Sequence, residues 1–248
     1  MKTLRPYQDK AVGDILLAYK QAYRSVLLQV PTGGGKTVIF SHIARRIGLR
    51  GKRVLILAHR DFLIGQISAA LTDDGVYHGI VAAGYRPDYS ANVIVGGIGT
   101  VVNRLHLMGD FDYIIMDECH HAVANSWREV LAAFPASRIL GVTATPSRAD
   151  GVGRGTSVGG IFEVMVNGPT VKELIGMGAL VKPRVIYPGE ARGFDDSGFK
   201  RVGGDYVASQ LYAKFGTKAI IGDAILHYGQ YAPGGSKKCS TFCINVKH

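Results

Sequence analysis

The segment LLQVPTGGGKTVIFSHI, Leu27–Ile43, places three consecutive glycines between an apolar run and a lysine. The glycines Gly33, Gly34 and Gly35 leave backbone N–H groups bare, so the chain can wrap closely around a polyanion. Lys36 can reach the outer phosphates, and the hydroxyl of Thr37 can bind Mg²⁺. We interpret the segment as a phosphate-binding loop, although a glycine-rich turn from strand to helix without a ligand remains the alternative.

The loop departs from the general pattern G-x-x-x-x-G-K-[ST] at its first position, where this chain has Val30 followed by Pro31. The match is therefore to the variant PTGGGKT. The residues that carry this variant are Thr32, Gly33, Gly35, Lys36 and Thr37. An apolar run before the loop and a helical pattern after it supply the context in which such a loop binds phosphate.

A pair of acidic residues follows another apolar run in YIIMDECHH, Tyr113–His121. Adjacent carboxylates repel each other and are costly to desolvate, so they need a cation or a chemical role. Asp117 at the strand end can hold Mg²⁺, and Glu118 can orient or deprotonate an attacking water. The alternative is the acid-rich first turn of a helix.

Two threonine hydroxyls come at the end of a further apolar run in GVTATPSR, Gly141–Arg148. If that run is a strand of the same sheet, Thr143 and Thr145 lie near the other two motifs. Taken alone, the segment is better interpreted as a plain turn ended by Pro146.

Strand-like and helix-like segments alternate along the chain around these motifs. Short β-rich runs predict strands buried on both faces: Ser25–Val30, Arg53–Ala58, Asn92–Gly96, Asp112–Asp117 and Arg138–Thr143. Helical patterns begin at Pro6 and occupy Thr37–Leu49, Asp61–Leu71 and Ser126–Phe134. The alternation predicts an α/β fold with a parallel sheet and helices on both faces. Ligands of such sheets bind beyond the carboxyl ends of the strands.

The composition limits the class of protein. The chain has 248 residues and a formal net charge of +10, which favours a polyanionic partner such as nucleic acid. No apolar run approaches the ~18 residues of a membrane span, and the start lacks a signal peptide, so we expect a cytosolic protein without a membrane partner. Three cysteines indicate a reducing compartment. We interpret Cys239 and Cys243 as buried thiols rather than metal ligands.

Taken together, PTGGGKT, DECH and TATP resemble motifs I, II and III of superfamily 2 helicases. The segments LRPYQ, LAHRDFLIGQ and GGIGTVVNRL resemble the adenine-sensing motif and motifs Ia and Ib. TPSRADGVG and VKELIGMGALVKP resemble the segments after motif III in DEAD/DEAH-like helicases related to type III restriction subunits and repair translocases. This resemblance implies a RecA-like P-loop NTPase domain that uses ATP and Mg²⁺.

The resemblance also implies roles for individual residues. Arg5 and Gln8 would contact the adenine, Gly33–Lys36 the phosphates, and Thr37 and Asp117 the Mg²⁺, with Glu118 as the catalytic carboxylate. His120, Thr143 and Thr145 would couple hydrolysis to domain movement. Arg60 and Thr100 would touch the nucleic-acid backbone. From its residue type alone, Arg60 is a solvated cation at a helix start.

The family pattern has two RecA-like domains with ATP between them. We expect residues 1–168 to form the first domain, residues 169–204 a connecting segment, and residues 205–248 the beginning of a second RecA-like domain. Asp205–Tyr228 predicts a helix and Cys239–Val246 a strand. The later arginine motifs do not occur in the sequence. We therefore expect a truncated or split helicase, whose ATP cleft a second domain or chain would complete.

The function that we predict is the ATP-binding motor domain of a helicase or translocase that acts on DNA rather than RNA. The missing arginine motifs predict slow hydrolysis by the isolated chain, since an arginine finger contributes roughly 10³–10⁵ in rate. A non-catalytic nucleic-acid-binding or regulatory fragment is the alternative, and a phosphate-loop kinase, which lacks TATP, is a third.

Overall fold

A computed structural model describes residues 3–119, 125–145, 160–183, 198–202, 205–207, 209–210 and 228–230. By its internal contacts the chain forms two compact units, Met1–Pro183 and Arg184–His248. The predicted strand Cys239–Val246 and most of the glycine-rich segment after Pro146 lie outside the described residues. The three-part division of the chain expected from the sequence stays a prediction.

The first unit is built on a seven-stranded parallel sheet in the order β3-β4-β2-β5-β6-β1-β7. The strands are β1 (Ser25–Gln29), β2 (Val54–Ala58), β3 (Gly79–Val81), β4 (Val93–Gly97), β5 (Tyr113–Asp117), β6 (Arg138–Thr143) and β7 (Val164–Asn167). All five predicted strands are present, with ends shifted by at most one residue. The structure adds β3 and β7, which sequence reasoning missed.

Helices of the first unit precede, connect and follow these strands. They are α1 (Pro6–Lys20), α2 (Lys36–Gly48), α3 (Asp61–Asp73), α4 (Ile98–Val101), α5 (Leu105–Met108), α6 (Asn125–Ala133) and α7 (Val171–Gly176), and a 3₁₀ turn, Val102–Arg104, lies between α4 and α5. Among the described residues, no helix has the length and apolar character that crossing a bilayer requires.

The strands bury both of their faces, as their apolar runs predict. Along β1, Val26 and Leu28 pack in one core cluster with α1, α2 and α3, while the intervening Leu27 packs in the other cluster with α4 and α6. Successive side chains of a strand point to opposite faces of the sheet. One continuous apolar run therefore contributes side chains to both core clusters. The sheet therefore has helices on both faces, which confirms the predicted α/β architecture.

The carboxyl ends of the three central strands that carry the motifs are aligned. Gln29 of β1 pairs with Thr143 of β6, and Asp117 of β5 pairs with Val142 of the same strand. Strand β6 thus lies between the strand that leads into the phosphate loop and the strand that ends in the acid pair. This register brings the three motifs to one edge of the sheet.

In the second unit, the described residues include two short strands, β8 (Arg201–Val202) and β9 (Asp205–Tyr206), which pair antiparallel. The sequence predicted that a helix begins at Asp205, and this start is wrong, because Asp205 and Tyr206 hydrogen-bond to a neighbouring strand instead. The hydrophobic periodicity of one segment does not indicate whether that segment pairs with another strand.

Candidate active site

The phosphate loop joins β1 to α2 by a tight turn. The N–H of Gly34 donates to the carbonyl of Pro31 at 2.9 Å. Gly33 has φ +80 and Gly35 has φ +83, which is a left-handed backbone conformation that residues with a side chain rarely adopt. A Cβ at Gly34 would lie 2.5 Å from Val30 Cγ1. The loop therefore needs glycine both for its backbone conformation and for its close packing.

The loop ends at the N-terminus of α2, which can hold an anion. Gly35 precedes the helix and provides no side-chain cap, and its carbonyl accepts from Ile39 N–H at 3.1 Å. The first N–H groups of a helix have no partner within the helix, and the helix dipole is positive there. Lys36 and Thr37 occupy the first turn, while Thr32 is exposed in the loop itself. The site thus fits the phosphates of a nucleotide.

The acid pair faces this loop across β6. Lys36 Nζ lies 3.4 Å from Glu118 Oε1, and the two side chains are only 12% and 25% exposed. Glu118 has φ +50, which is unusual for a residue with a side chain. Its backbone N–H donates to Asp117 Oδ1 at 3.1 Å. The strand end therefore turns sharply after Asp117 and presents Glu118 to the lysine of the loop.

Asp117 is buried, with 5% of its surface exposed. Burial, and after it the negative charge of Glu118, raise the pKa of this carboxyl from 3.8 to about 6, although the charge of Lys36 opposes the shift. A cation next to Asp117 would favour the ionised carboxylate. Together with the hydroxyl-bearing Thr37, it is an oxygen donor of the kind that Mg²⁺ takes in proteins.

The threonines at the end of β6 form a compact turn that is hydrogen-bonded to the residue after β1. Thr143 Oγ1 accepts from Thr145 N–H and donates to the Thr145 carbonyl, both at 3.1 Å. The carbonyl of Thr143 accepts from Val30 N–H at 3.0 Å. A shift of this turn would therefore act directly on the residue that precedes the phosphate loop.

The first turn of α1 contacts the loop from the other side. Gln8 is buried, and its side-chain carbonyl accepts from Arg5 N–H at 2.9 Å. A Cβ at Gly35 would lie 2.3 Å from Gln8 Nε2. Arg5 is exposed at the helix start. The structure thus places Gln8 directly beside the last glycine of the loop.

Three residues at the loop escaped sequence reasoning. Tyr7 donates its hydroxyl to the Gly34 carbonyl at 3.1 Å. Leu180 Cδ2 would lie 2.7 Å from a Cβ at Gly33, and Leu174 Cδ1 would lie 3.3 Å from one at Gly34. The segments LRPYQ and VKELIGMGALVKP drew attention by resemblance, but their patterns do not indicate that these side chains meet the glycines.

The predicted nucleic-acid contacts lie on the other side of β5 from the phosphate loop. Arg60 precedes α3 beyond the end of β2, is exposed, and donates from Nε to His59 Nε2 at 3.1 Å. Thr100 lies in α4 beyond the end of β4, the strand next to β2. His120 lies outside the described residues.

Comparison with known proteins assigns the family. The model of the family described as Type III restriction enzyme, res subunit, matches residues 1–148. The chain belongs to this family. The resemblance to superfamily 2 helicases is thereby confirmed, and the chain is a helicase-type ATPase domain.

Two curated proteins are similar in sequence to this res-subunit family chain. IRC3 of Saccharomyces cerevisiae, which is named as an ATP-dependent helicase, is 35% identical over 166 residues, covering 59% of this chain and 24% of the relative. The 51.5 kDa protein of Lactococcus phage (isolate 7-9) is 31% identical over 208 residues, covering 84% of this chain. This chain spans 42% of that phage protein's length.

A solved structure supports the fold. The Type ISP restriction-modification enzyme LlaGI, in a structure with a DNA substrate mimic, superposes with a TM-score of 0.59 and 15% identity. The match covers 96% of this chain and 25% of LlaGI. The RecA-like α/β fold predicted from the sequence is confirmed for this res-subunit family chain.

Proposed function

We propose that this domain is the ATP-binding motor of a helicase or translocase that couples ATP hydrolysis to movement on DNA or to its remodelling. One observation carries the proposal: Lys36 Nζ lies 3.4 Å from Glu118 Oε1, although the two residues come from distant segments. This pair puts the cation suited to the outer phosphates beside the carboxylate suited to act on water.

The proposed nucleotide contacts come from the loop and from α1. The N–H groups of Gly33, Gly35 and the first turn of α2 would donate to phosphate oxygens, and Lys36 would neutralise their charge. Arg5 and Gln8 would contact the adenine. The position of Gln8 beside Gly35 supports this assignment, because it connects the base contact to the phosphate loop.

Thr37 and Asp117 are the proposed Mg²⁺ ligands. Bound Mg²⁺ supplies positive charge that neutralises the phosphate oxygens. Asp117 fits this role because burial and Glu118 both oppose its ionisation, so that a divalent cation would relieve an electrostatic cost of the fold.

Glu118 is the proposed general base. Its carboxylate is paired with Lys36, so each neutralises the other. Phosphate oxygens compete for Lys36, which leaves the Glu118 carboxylate able to accept a proton from the attacking water. The rate of hydrolysis is then linked to occupancy of the phosphate loop.

We propose that Thr143 and Thr145, with His120, couple hydrolysis to domain movement. The hydrogen bond from Val30 N–H to the Thr143 carbonyl supports this role for the threonine turn. The family pattern further supports a second RecA-like domain or chain that completes the cleft, so turnover by this chain alone is proposed to be slow.

The proposed nucleic-acid contacts are Arg60 and Thr100, which follow the neighbouring strands β2 and β4. The formal net charge of +10 supports a polyanionic partner. DNA is proposed over RNA, and the structure of LlaGI with a DNA substrate mimic supports that choice.

The test is single-turnover ATP hydrolysis, measured with excess protein, with and without duplex DNA. We expect Lys36→Ala to weaken nucleotide binding and to lower the hydrolysis rate by roughly 10²-fold or more, because it removes charge stabilisation at the phosphates. Lys52→Ala is the matched control. Lys52 also pairs with a carboxylate, Asp112, at 2.9 Å, but at the opposite edge of the sheet.

Equal loss of activity in both lysine variants, or full activity in Lys36→Ala, would contradict the phosphate-loop assignment. Nucleotide and DNA binding by the wild-type chain without any hydrolysis would favour a non-catalytic nucleic-acid-binding role instead.

A further inference from the structure

A tyrosine in the first turn of α1 contacts the backbone of the phosphate loop. Tyr7 Oη donates to the carbonyl of Gly34 at 3.1 Å. We propose that Tyr7 is a positioning residue for nucleotide binding, and that it acts by orienting the peptide unit between Gly34 and Gly35 toward phosphate. This inference rests on the proposed function of the loop.

The orientation follows from peptide geometry. The chain has no cis peptide bonds among the described residues. In a trans peptide the carbonyl of one residue and the N–H of the next point in opposite directions. When Tyr7 holds the carbonyl of Gly34, the N–H of Gly35 must point away from α1. Within the described loop, the backbone hydrogen bonds include no acceptor for this N–H group.

Glycine makes such a restraint necessary. Gly33 and Gly35 both have positive φ, and Gly34 lies between them. Glycine populates left-handed and right-handed backbone conformations about equally, so this peptide unit has little intrinsic preference for one orientation. A hydrogen bond to its carbonyl selects one orientation before the ligand arrives. Such preorganisation improves affinity because less ordering remains to be done on binding.

Helix α1 is a rigid support for this hydrogen bond. Pro6 occupies its first position, and Val12 and Ile15 are buried in the core that α1 shares with α2. Gln8, the next residue, approaches Gly35. Neighbouring residues of one helical turn therefore contact consecutive glycines, and we assign the base contact to Gln8 and the loop orientation to Tyr7.

The experiment compares Tyr7→Phe with the wild-type chain. Binding of a fluorescent ATP analogue is measured in buffer with Mg²⁺. Inorganic tripolyphosphate, ATP and GTP are the competitors. We expect Tyr7→Phe to weaken both ligands by roughly 3–10-fold, the range of one net hydrogen bond. The ratio of ATP to GTP affinity should stay unchanged, because the phosphates and not the base lose a contact. Binding stoichiometry should also stay unchanged.

Tyr19→Phe is a matched control from the same helix. Tyr19 likewise donates its hydroxyl to a backbone carbonyl, that of Ile139, at 3.0 Å, but it lies in the core away from the loop. We expect Tyr19→Phe to lower the unfolding midpoint while leaving the affinity for both ligands unchanged.

Three results would overturn the role of Tyr7: unchanged affinity in Tyr7→Phe, a changed ATP to GTP ratio, or a reduced stoichiometry at unchanged affinity, which reports misfolding only. Failure of the proposed function is distinguishable, since the wild-type chain and Lys36→Ala would then bind tripolyphosphate equally.

Discussion

At the scale of single residues, Asp117 shows how burial works against charge in the site. Its carboxyl is buried at the end of β5, next to a second acid, and the charge of Lys36 only partly compensates. Its pKa is therefore raised from 3.8 to about 6. A group whose pKa is raised by folding stabilises the fold when protonated, and this stabilisation is lost as the pH rises through the folded value.

We therefore predict that Asp117→Asn stabilises the metal-free protein at neutral pH. The gain should be near zero below pH 4 and should rise through pH 6 to about 2–3 kcal/mol, since each unit of pKa shift corresponds to about 1.4 kcal/mol. The measurement is urea unfolding between pH 4 and pH 8 in the presence of a chelator. The amide retains an oxygen that can accept from Glu118 N–H, so the local turn is preserved.

Asp112, which immediately precedes the start of β5, provides the control with a pKa shift of opposite sign. A hydrogen bond from Lys52 holds the pKa of Asp112 below its ordinary value, so its contribution to stability is lost as the pH falls. Asp112→Asn should not stabilise the protein at neutral pH. If both variants gave the same pH dependence, burial would not be the cause assigned to Asp117.

At the scale of elements, the connection from β1 to α2 is the most constrained part of the site. Gly35 has φ +83, and a Cβ there would lie 2.3 Å from Gln8 Nε2 of α1. Gly51, which follows α2, has φ +70, but a Cβ there would meet nothing within 4 Å. The two glycines thus share a backbone conformation and differ in their surroundings.

This difference predicts that substitution by alanine destabilises the protein by different amounts at the two positions. Gly51→Ala should destabilise the protein by about 1–2 kcal/mol, the cost of a left-handed conformation. Gly35→Ala should cost about 1–3 kcal/mol more, because the added methyl displaces the buried Gln8 side chain. Chemical unfolding of both variants measures the difference. Equal destabilisation would show that α1 does not pack tightly on the loop.

Sequence patterns identified the five longer strands of the seven-stranded sheet but missed its two shorter strands. The strands β1, β2, β4, β5 and β6 were predicted because each is an apolar run in a chain that alternates with helical patterns. Strands β3 and β7 have three and four residues. They are strands because they pair with β4 and β1, and such pairing is not a property of the segment itself.

At the scale of the whole molecule, the basic charge of the chain does not by itself identify a binding face. Arg60 is exposed at the edge that carries the motifs, whereas Arg46 is exposed in the last turn of α2. Because α2 starts at the phosphate loop, its last turn lies toward the opposite edge of the sheet. Comparing a variant of each arginine therefore distinguishes DNA binding at the motif edge from a general electrostatic attraction of polyanions.

We predict that Arg60→Ala weakens duplex DNA binding and lowers the slope of log K against log salt by about 1, as expected for one lost phosphate contact. Arg46→Ala should leave that slope unchanged. Both variants change the net charge equally, so total charge is controlled. The measurement is fluorescence anisotropy over a salt series. Equal slopes for the two variants would contradict a DNA site at the motif edge.

Amino-acid patterns alone were enough to predict the candidate chemical residues and the class of fold that carries them. Phosphate loops and strand-end acids are local patterns, and alternating strands and helices bring strand ends to one edge of a parallel sheet. Which side chains come into contact depends instead on how the elements pack. Lys36 faces Glu118 because β6 alone separates β1 from β5, and Tyr7 reaches Gly34 because α1 packs beside the loop. Strand order and helix placement depend on long-range packing, which no short stretch of sequence contains.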